Sequence, residues 1–182
     1  MTQLSENINS TELKDLIDNS EQGKIADFVY DRFYERYIRP IESLDKNDKN
    51  GFSIMAVSCL MIESLVSFKN GWEDKKNKSE KAFRKFLTTE PEFIEFKELS
   101  KPFYVNIRCG ILHQSETTSG WKLMRKGMIY DSATKTINAT LFLSRLKKTL
   151  ESYRQTLKTA EWDSSDWDNL RIKLRMIIKN CE

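Results

Sequence analysis

One short segment of the chain, residues 104–114, carries the side chains best suited to chemistry. Arg108 and His113 form an R-x4-H arrangement there, and His113 is the only histidine in the chain. An imidazole that titrates near neutral pH can accept a proton or donate one. A guanidinium stays cationic and presents a planar fork of donors that matches phosphate oxygens. Together they could promote attack of an RNA 2′-hydroxyl on the neighbouring phosphate, with Arg108 stabilising the developing charge.

Glu63 is a third candidate, because it is the one charged residue in a segment that is apolar on almost every side, residues 51–68. A buried carboxylate needs a partner, and Arg108 or His113 is the natural one. Glu63 would then orient that partner for catalysis. A structural ion pair between Glu63 and some other Arg or Lys is the alternative interpretation.

Several classes of site are not expected from this sequence. The chain has no CxxC or HxxxH spacing for zinc and neither of the two glycine-rich phosphate-binding motifs, so we expect no metal and no other cofactor. Its 3 cysteines do not form a disulfide framework. The first residues lack a secretory signal. We therefore expect a cytoplasmic protein.

Length and composition favour one mainly α-helical domain. The chain has 182 residues, 39% of them hydrophobic, with only 6 Gly and 3 Pro. Hydrophobic spacing predicts helices near residues 10–19, 24–44, 51–68, 79–87, 91–99, 103–112, 139–159 and 166–179. A kink at Pro40, a capping box at 89–92 and a helix cap at Asp163 are also predicted.

The helices are interrupted by one stretch with a different pattern. Short apolar runs alternate with turn residues near 121–138, which predicts a small inserted β-hairpin or meander. We expect residues 1–22 to form an N-terminal arm with a short helix, and residues 23–182 to form the helical bundle. A membrane span is the alternative for residues 51–68, but the segment is short and interrupted by serines, so a buried core helix is predicted.

An ideal helix would not bring Arg108 and His113 together. Five residues turn an α-helix through about 500°, which leaves the two side chains roughly 140° apart. They would converge if the helix loosened near Gly110. They would also meet if two chains joined their motifs across a two-fold axis.

The motif and its surroundings resemble the HEPN superfamily, small helical-bundle proteins of bacterial defence and toxin–antitoxin systems. The family's R-x4-6-H motif falls on Arg108 and His113, and an apolar helix with one acidic residue, here Glu63, precedes it together with a charge-rich loop, residues 69–81. Many members are metal-independent ribonucleases. The resemblance implies a HEPN-like bundle, endoribonuclease activity, an isologous homodimer with two motif copies in one cleft, and an antitoxin protein as a further partner.

Two departures from the family pattern bear on these implications. Many active members have a polar residue directly after the arginine, where this chain has Cys109, and Asn106 is the candidate to substitute for it. Members modified by a nucleotidyltransferase antitoxin have a tyrosine two residues after the histidine, where this chain has Ser115. That form of regulation is therefore not expected here.

A basic stretch beside the motif is the candidate RNA-binding surface. It offers an aromatic ring for base stacking and cations for phosphate pairing, from Trp121, Lys122, Arg125 and Lys126. Asn106 is added to these RNA contacts. A solvated hairpin face is the alternative interpretation of this stretch.

The motif also has interpretations without catalysis. Arg108 could form a surface salt bridge, and His113 could be a cation placed favourably at a helix C-terminus. Two other functions therefore remain open. One is a non-catalytic HEPN-like module that binds RNA, a nucleotide or a partner protein. The other is a plain helical interaction or immunity protein.

Overall fold

The computed structural model describes residues 2–45, 47–73 and 77–181. It is mainly helical with one small three-stranded sheet, which confirms the predicted fold class. The helices before the motif are α1 Ser10–Asp18, α2 Gln22–Phe33, α3 Arg39–Glu42, α4 Gly51–Lys69 and α5 Ser79–Thr89. Residues 74–76 of the charge-rich loop lie outside the described residues.

Helix α4 is the centre of the fold. Met55, Met61, Ile62 and Leu65 are completely buried, and the helix packs against α5, α8 (Ala139–Thr159) and α9 (Ser165–Lys179). Neighbours on several sides explain why α4 is apolar nearly all round. It is long and apolar enough to cross a membrane, but 56% of that stretch is buried in the fold, as in the core helix of a soluble protein.

The N-terminal segment belongs to the same hydrophobic core. Leu13 and Ile17 of α1 are buried, and the helix packs on α2 and α9. Its first turn is closed by a capping box, in which the Asn9 side chain accepts from Thr11 and Glu12 while the Glu12 carboxylate accepts from the Asn9 N–H. The predicted short helix is confirmed, and it packs on the bundle.

The predicted kink at Pro40 takes the form of a π-helical turn. Residues Tyr34–Ile38 separate α2 from α3, and the Arg39 N–H donates to the Tyr34 carbonyl, five residues back. Pro40 lies in the first turn of α3, directly after this π-helical turn.

The second half of the chain begins with a 3₁₀ helix, Pro91–Leu99, followed by α6 Ser100–Phe103, a π-helical segment Tyr104–Cys109, and α7 Gly110–Gln114. Two predicted caps are wrong. No side chain caps the 3₁₀ helix, and the Thr89 hydroxyl instead donates to the Lys85 carbonyl within α5. Helix α9 begins after Ser164 rather than Asp163, again without a side-chain cap.

The inserted sheet contains β1 Lys122–Met124, β2 Tyr130–Asp131 and β3 Thr136–Asn138 in the order β1-β3-β2. Strands β2 and β3 form an antiparallel hairpin, and β1 pairs with β3 in parallel, so the sheet is not a meander. The sheet packs on a group of aromatic rings that includes Phe96, Phe103 and Phe142. This packing fixes the sheet beside the motif helix.

Candidate functional site

The helix that carries Arg108 is not a regular α-helix. Arg108 lies in the π-helical segment Tyr104–Cys109, which ends directly before Gly110. A π-helical turn contains an extra residue, so the angle between Arg108 and His113 differs from that of an ideal helix. The loosening expected near Gly110 is present, on its N-terminal side.

Arg108 and Glu63 form a largely buried ion pair. The Arg108 Nε lies 2.9 Å from the Glu63 Oε1, and the side chains are 18% and 14% exposed, respectively. The Ser79 hydroxyl donates to the same Glu63 oxygen over 2.7 Å. Burial would lower the pKa of Arg108, but the hydrogen bond and charge of Glu63 outweigh it and raise that pKa. Of the two partners predicted for Glu63, the structure pairs it with Arg108.

The other contacts of Arg108 engage the terminal nitrogens of its guanidinium only weakly. The Nε is committed to Glu63, and the Tyr104 ring lies against the guanidinium, with 5.6 Å from the ring centre to Cζ. Nη1 is 3.9 Å from the Cys109 sulfur, a weak contact. The Nη groups therefore keep hydrogen-bond donors that could serve an anionic ligand.

His113 is exposed near the end of α7. Among the described residues it makes no hydrogen bond or ion pair, either with Arg108 or with any other side chain. A small cavity of about 70 Å³ adjoins Glu63 and Arg108 and is lined by Ala56, Cys59, Leu60, Ile111 and Leu112, without His113. Within one chain, Glu63 and Arg108 thus form an ion pair, and the His113 imidazole takes no part in it.

The surface around this cavity is apolar and uncovered. Leu60 on α4 is 54% exposed, and Leu112 on α7 is 56% exposed, although both line the same cavity. We call this surface the Leu60–Leu112 face. Cys59 lies beneath it, and burial, followed by the charge of Glu63, raises the pKa of its thiol, so it packs as a neutral core side chain.

Asn106 fixes the loop that follows His113. Its side-chain oxygen accepts from the Thr118 hydroxyl at 2.8 Å, and its amide group donates to the Pro102 carbonyl at 2.9 Å. The Thr118 N–H also donates to the Asn106 carbonyl. Both ends of the Asn106 amide are thus engaged within the fold, so Asn106 is not presented as a substitute for a polar residue after Arg108.

Trp121 is not on the surface. It is 6% exposed, and its ring stacks on Tyr130 at 5.5 Å and meets Phe103 edge-on. The contact with Tyr130 joins the residue before β1 to β2, and the contact with Phe103 of α6 ties the sheet to the helical segment that precedes Arg108. The ring is therefore closed to an RNA base in this structure, because aromatic neighbours already occupy it.

The basic side chains of the same stretch differ in their exposure and contacts. Lys122 and Lys126 are exposed. Arg125 holds the sheet against the start of α4, since it donates to the Asp48 carbonyl at 2.8 Å and to the Thr140 hydroxyl at 3.3 Å. Of the candidate RNA-binding residues, Lys122 and Lys126 are therefore the two whose side chains are exposed to solvent.

Gly110 permits the chain to fold back after His113. A Cβ at this position would lie 2.6 Å from the Glu116 carbonyl oxygen, and no flexible side chain is there to move away. Gly110→Ala should therefore shift the loop and lower the free energy of unfolding by about 1–3 kcal/mol. Urea denaturation measures the change.

Gly23→Ala is the matched control for that substitution. Gly23 lies in α2 and is exposed, and no atom lies within 4 Å of the position that a Cβ would take there. The added methyl group should stabilise the helix by about 0.5–1 kcal/mol. Equal effects at the two glycines would contradict a close approach at Gly110.

Sequence reasoning missed two residues of this site, Ser79 and Tyr104. Tyr104 had a usable signal, because it precedes Arg108 by four positions and such neighbours meet on a helix. Ser79 had none, because its contact with Glu63 depends on where α5 begins relative to α4. In the part of the chain that the structure describes, no group of three His, Cys, Asp or Glu side chains could hold a metal ion.

Comparisons with protein-family models, curated proteins and solved structures give no match to this chain. The resemblance to the HEPN superfamily is therefore an expectation from the sequence, carried by the R-x4-H motif at Arg108 and His113 and by the apolar segment with Glu63.

Proposed function

We propose that this chain is a HEPN-type endoribonuclease that cleaves RNA without a metal ion, by attack of a 2′-hydroxyl on the adjacent phosphate. The observation that carries the proposal is the largely buried Glu63–Arg108 pair. An ion pair at such a site costs desolvation free energy, so it is weak evidence for a stabilising role alone. Its guanidinium is oriented through Nε, with the Nη groups left for a ligand.

The chemistry assigns separate roles to the two motif residues. Arg108 would bind the non-bridging phosphate oxygens and stabilise the charge that develops on them. His113 would take the proton from the 2′-hydroxyl or give one to the departing 5′-oxygen. Because His113 is exposed, it is free to meet a substrate.

A complete site needs a second copy of the chain. His113 forms no hydrogen bond or ion pair with Arg108 within one chain, as far as the described residues show, and the adjoining Leu60–Leu112 face is apolar and open. Contact between two such faces across a two-fold axis would bury them and bring two motif copies into one cleft. We therefore propose an isologous homodimer.

Leu60→Glu should convert this dimer to a monomer and remove its nuclease activity. The side chain is 54% exposed, so the fold tolerates the change, whereas a carboxylate opposite its symmetry mate repels it. Light scattering during size-exclusion chromatography measures the mass. Ile94→Glu, at a position that is 62% exposed and outside the face, is the control and should leave the dimer intact. A monomeric wild type with full activity would contradict the proposal.

Incubation of RNA with the wild-type protein in EDTA tests the activity itself. Attack by the 2′-hydroxyl leaves a 2′,3′-cyclic phosphate on one product and a 5′-hydroxyl on the other, and both ends can be identified chemically. Metal-dependent cleavage, or products with 5′-phosphates, would contradict the mechanism. Lys122 and Lys126 would add phosphate contacts, which makes binding weaken as salt rises.

A non-catalytic module that binds RNA, a nucleotide or a partner protein is the second candidate. Two observations favour it: Cys109 follows Arg108, and His113 has no side chain to orient it among the described residues. Protein that retards RNA on a gel but never shortens it would support this function. In either case, the proposed setting is a cytoplasmic defence or toxin–antitoxin system with an antitoxin protein as partner.

A further inference from the structure

The Arg108 guanidinium is held by a group of side chains that we call the Arg108 cluster. It comprises Glu63 from α4, Ser79 from the first turn of α5, and Tyr104, Arg108 and Cys109 from the π-helical segment. Its members meet only because three separate elements converge at this point. The motif and Glu63 account for two of these residues, and the other three have no assigned role.

Ser79 restricts the Glu63 carboxylate. Its hydroxyl donates at 2.7 Å to Oε1, the same oxygen that accepts from the Arg108 Nε at 2.9 Å. With two donors on one oxygen, rotation of the carboxylate would break both hydrogen bonds. Ser79 therefore acts on the direction of the guanidinium through Glu63, although it does not contact Arg108.

The Tyr104 ring lies against the flat face of the Arg108 guanidinium and limits its rotation. The ring centre lies 5.6 Å from Cζ, within the range of a cation–π contact. The Tyr104 ring also packs against Phe83 of α5, with 5.7 Å between the two ring centres, which holds the ring in place. The plane and the edge of the guanidinium are thus both constrained.

We propose that Ser79 and Tyr104 are positioning residues that pre-orient Arg108 so that its Nη groups meet the scissile phosphate. This inference rests on the proposed ribonuclease function. Free rotation of an arginine would have to be frozen during each catalytic cycle, and a preorganised donor avoids that cost. Neither residue touches the substrate in this arrangement.

A double-mutant cycle tests the inference. Tyr104→Leu should lower kcat for RNA cleavage about tenfold, a typical value for one cation–π contact, with little change in KM. In the Arg108→Ala background the same substitution should have no further effect, because the residue through which Tyr104 acts is gone. Ser79→Ala should behave in the same way. Additive losses in the Arg108→Ala background would overturn the proposal, since they indicate general damage to the fold.

Conservative and matched variants separate positioning from stability. Tyr104→Phe retains the ring face and should recover most of the loss seen with leucine. Tyr30→Leu removes a ring that makes a cation–π contact elsewhere in the bundle, with 4.9 Å between the ring centre and the Arg154 Cζ. This substitution should leave kcat unchanged. Ser58→Ala removes a hydroxyl that bonds only within α4, to the Ile54 carbonyl, and it should also be silent. A loss at either control equal to that at the cluster would overturn the assignment.

The cycle also distinguishes failure of this inference from failure of the proposed function. If the wild type binds RNA without cleaving it, the ribonuclease proposal fails, and the cycle is measured on RNA affinity instead. Coupling between Tyr104 and Arg108 in binding would still support positioning at a phosphate, and additivity would overturn it. A wild type that neither binds nor cleaves RNA would overturn both.

Discussion

Replacement of His113 with alanine should reduce the rate of RNA cleavage in EDTA by about 10²–10⁴-fold, the usual contribution of a general acid or base. The chain has no other histidine to take over proton transfer. The side chain is exposed near the end of α7, so its removal leaves the hydrophobic core untouched. Single-turnover rates measure the loss, and circular dichroism shows whether the fold persists.

The neighbouring residue offers a control for that experiment. Gln114 is also exposed, and it ends the same helix. Gln114→Ala should leave cleavage at the wild-type rate. If His113→Ala cleaves as fast as Gln114→Ala, the imidazole has no role in proton transfer and the ribonuclease assignment is wrong.

Arg108→Lys should lower cleavage by about 10²–10³-fold, as expected when a preorganised donor to the transition state is lost. Lysine keeps the positive charge near Glu63 but not the planar fork. It cannot donate sideways to the Glu63 Oε1 and at the same time present two parallel N–H groups to a phosphate. The measurement is kcat, with the melting temperature recorded alongside.

Arg145→Lys is the matched control for this change. Arg145 also forms an ion pair, with its Nη1 2.8 Å from a Glu95 oxygen, but it lies on α8 and is more exposed. Its substitution should affect cleavage little. Wild-type activity in Arg108→Lys would show that charge alone suffices, and the oriented-fork mechanism would then have to be abandoned.

Both predictions also depend on the proposed homodimer, because one chain does not join the two motif residues. Arg108 is held rigidly between α4 and the π-helical segment, whereas His113 lies outside that contact and has no orienting side chain among the described residues. A general acid or base needs hydrogen-bond reach to its proton. In the proposed dimer, contact of the Leu60–Leu112 face with a second copy would hold the His113 side chain in one orientation.

Periodicity predicts the long helices well because it reports burial directly. Helix α4 is predicted from an apolar run that contains one charged residue, and α8 and α9 are predicted from apolar residues at helical spacing. The structure places all three helices close to the predicted ranges. The caps expected at residues 89–92 and Asp163 are wrong. A cap depends on the dihedral angles of one or two residues, which neighbouring loops control, so residue type is a poor guide to it.

The candidate chemistry is already present in the residue types: a single histidine, an arginine five positions before it, and a lone carboxylate in an apolar helix. These are local properties of the chain. Packing between distant segments decides three other features of the site. It pairs Glu63 with Arg108, it buries Trp121 in the core, and it brings the Ser79 hydroxyl to Glu63. Such contacts depend on how helices cross, and no spacing along one helix encodes that.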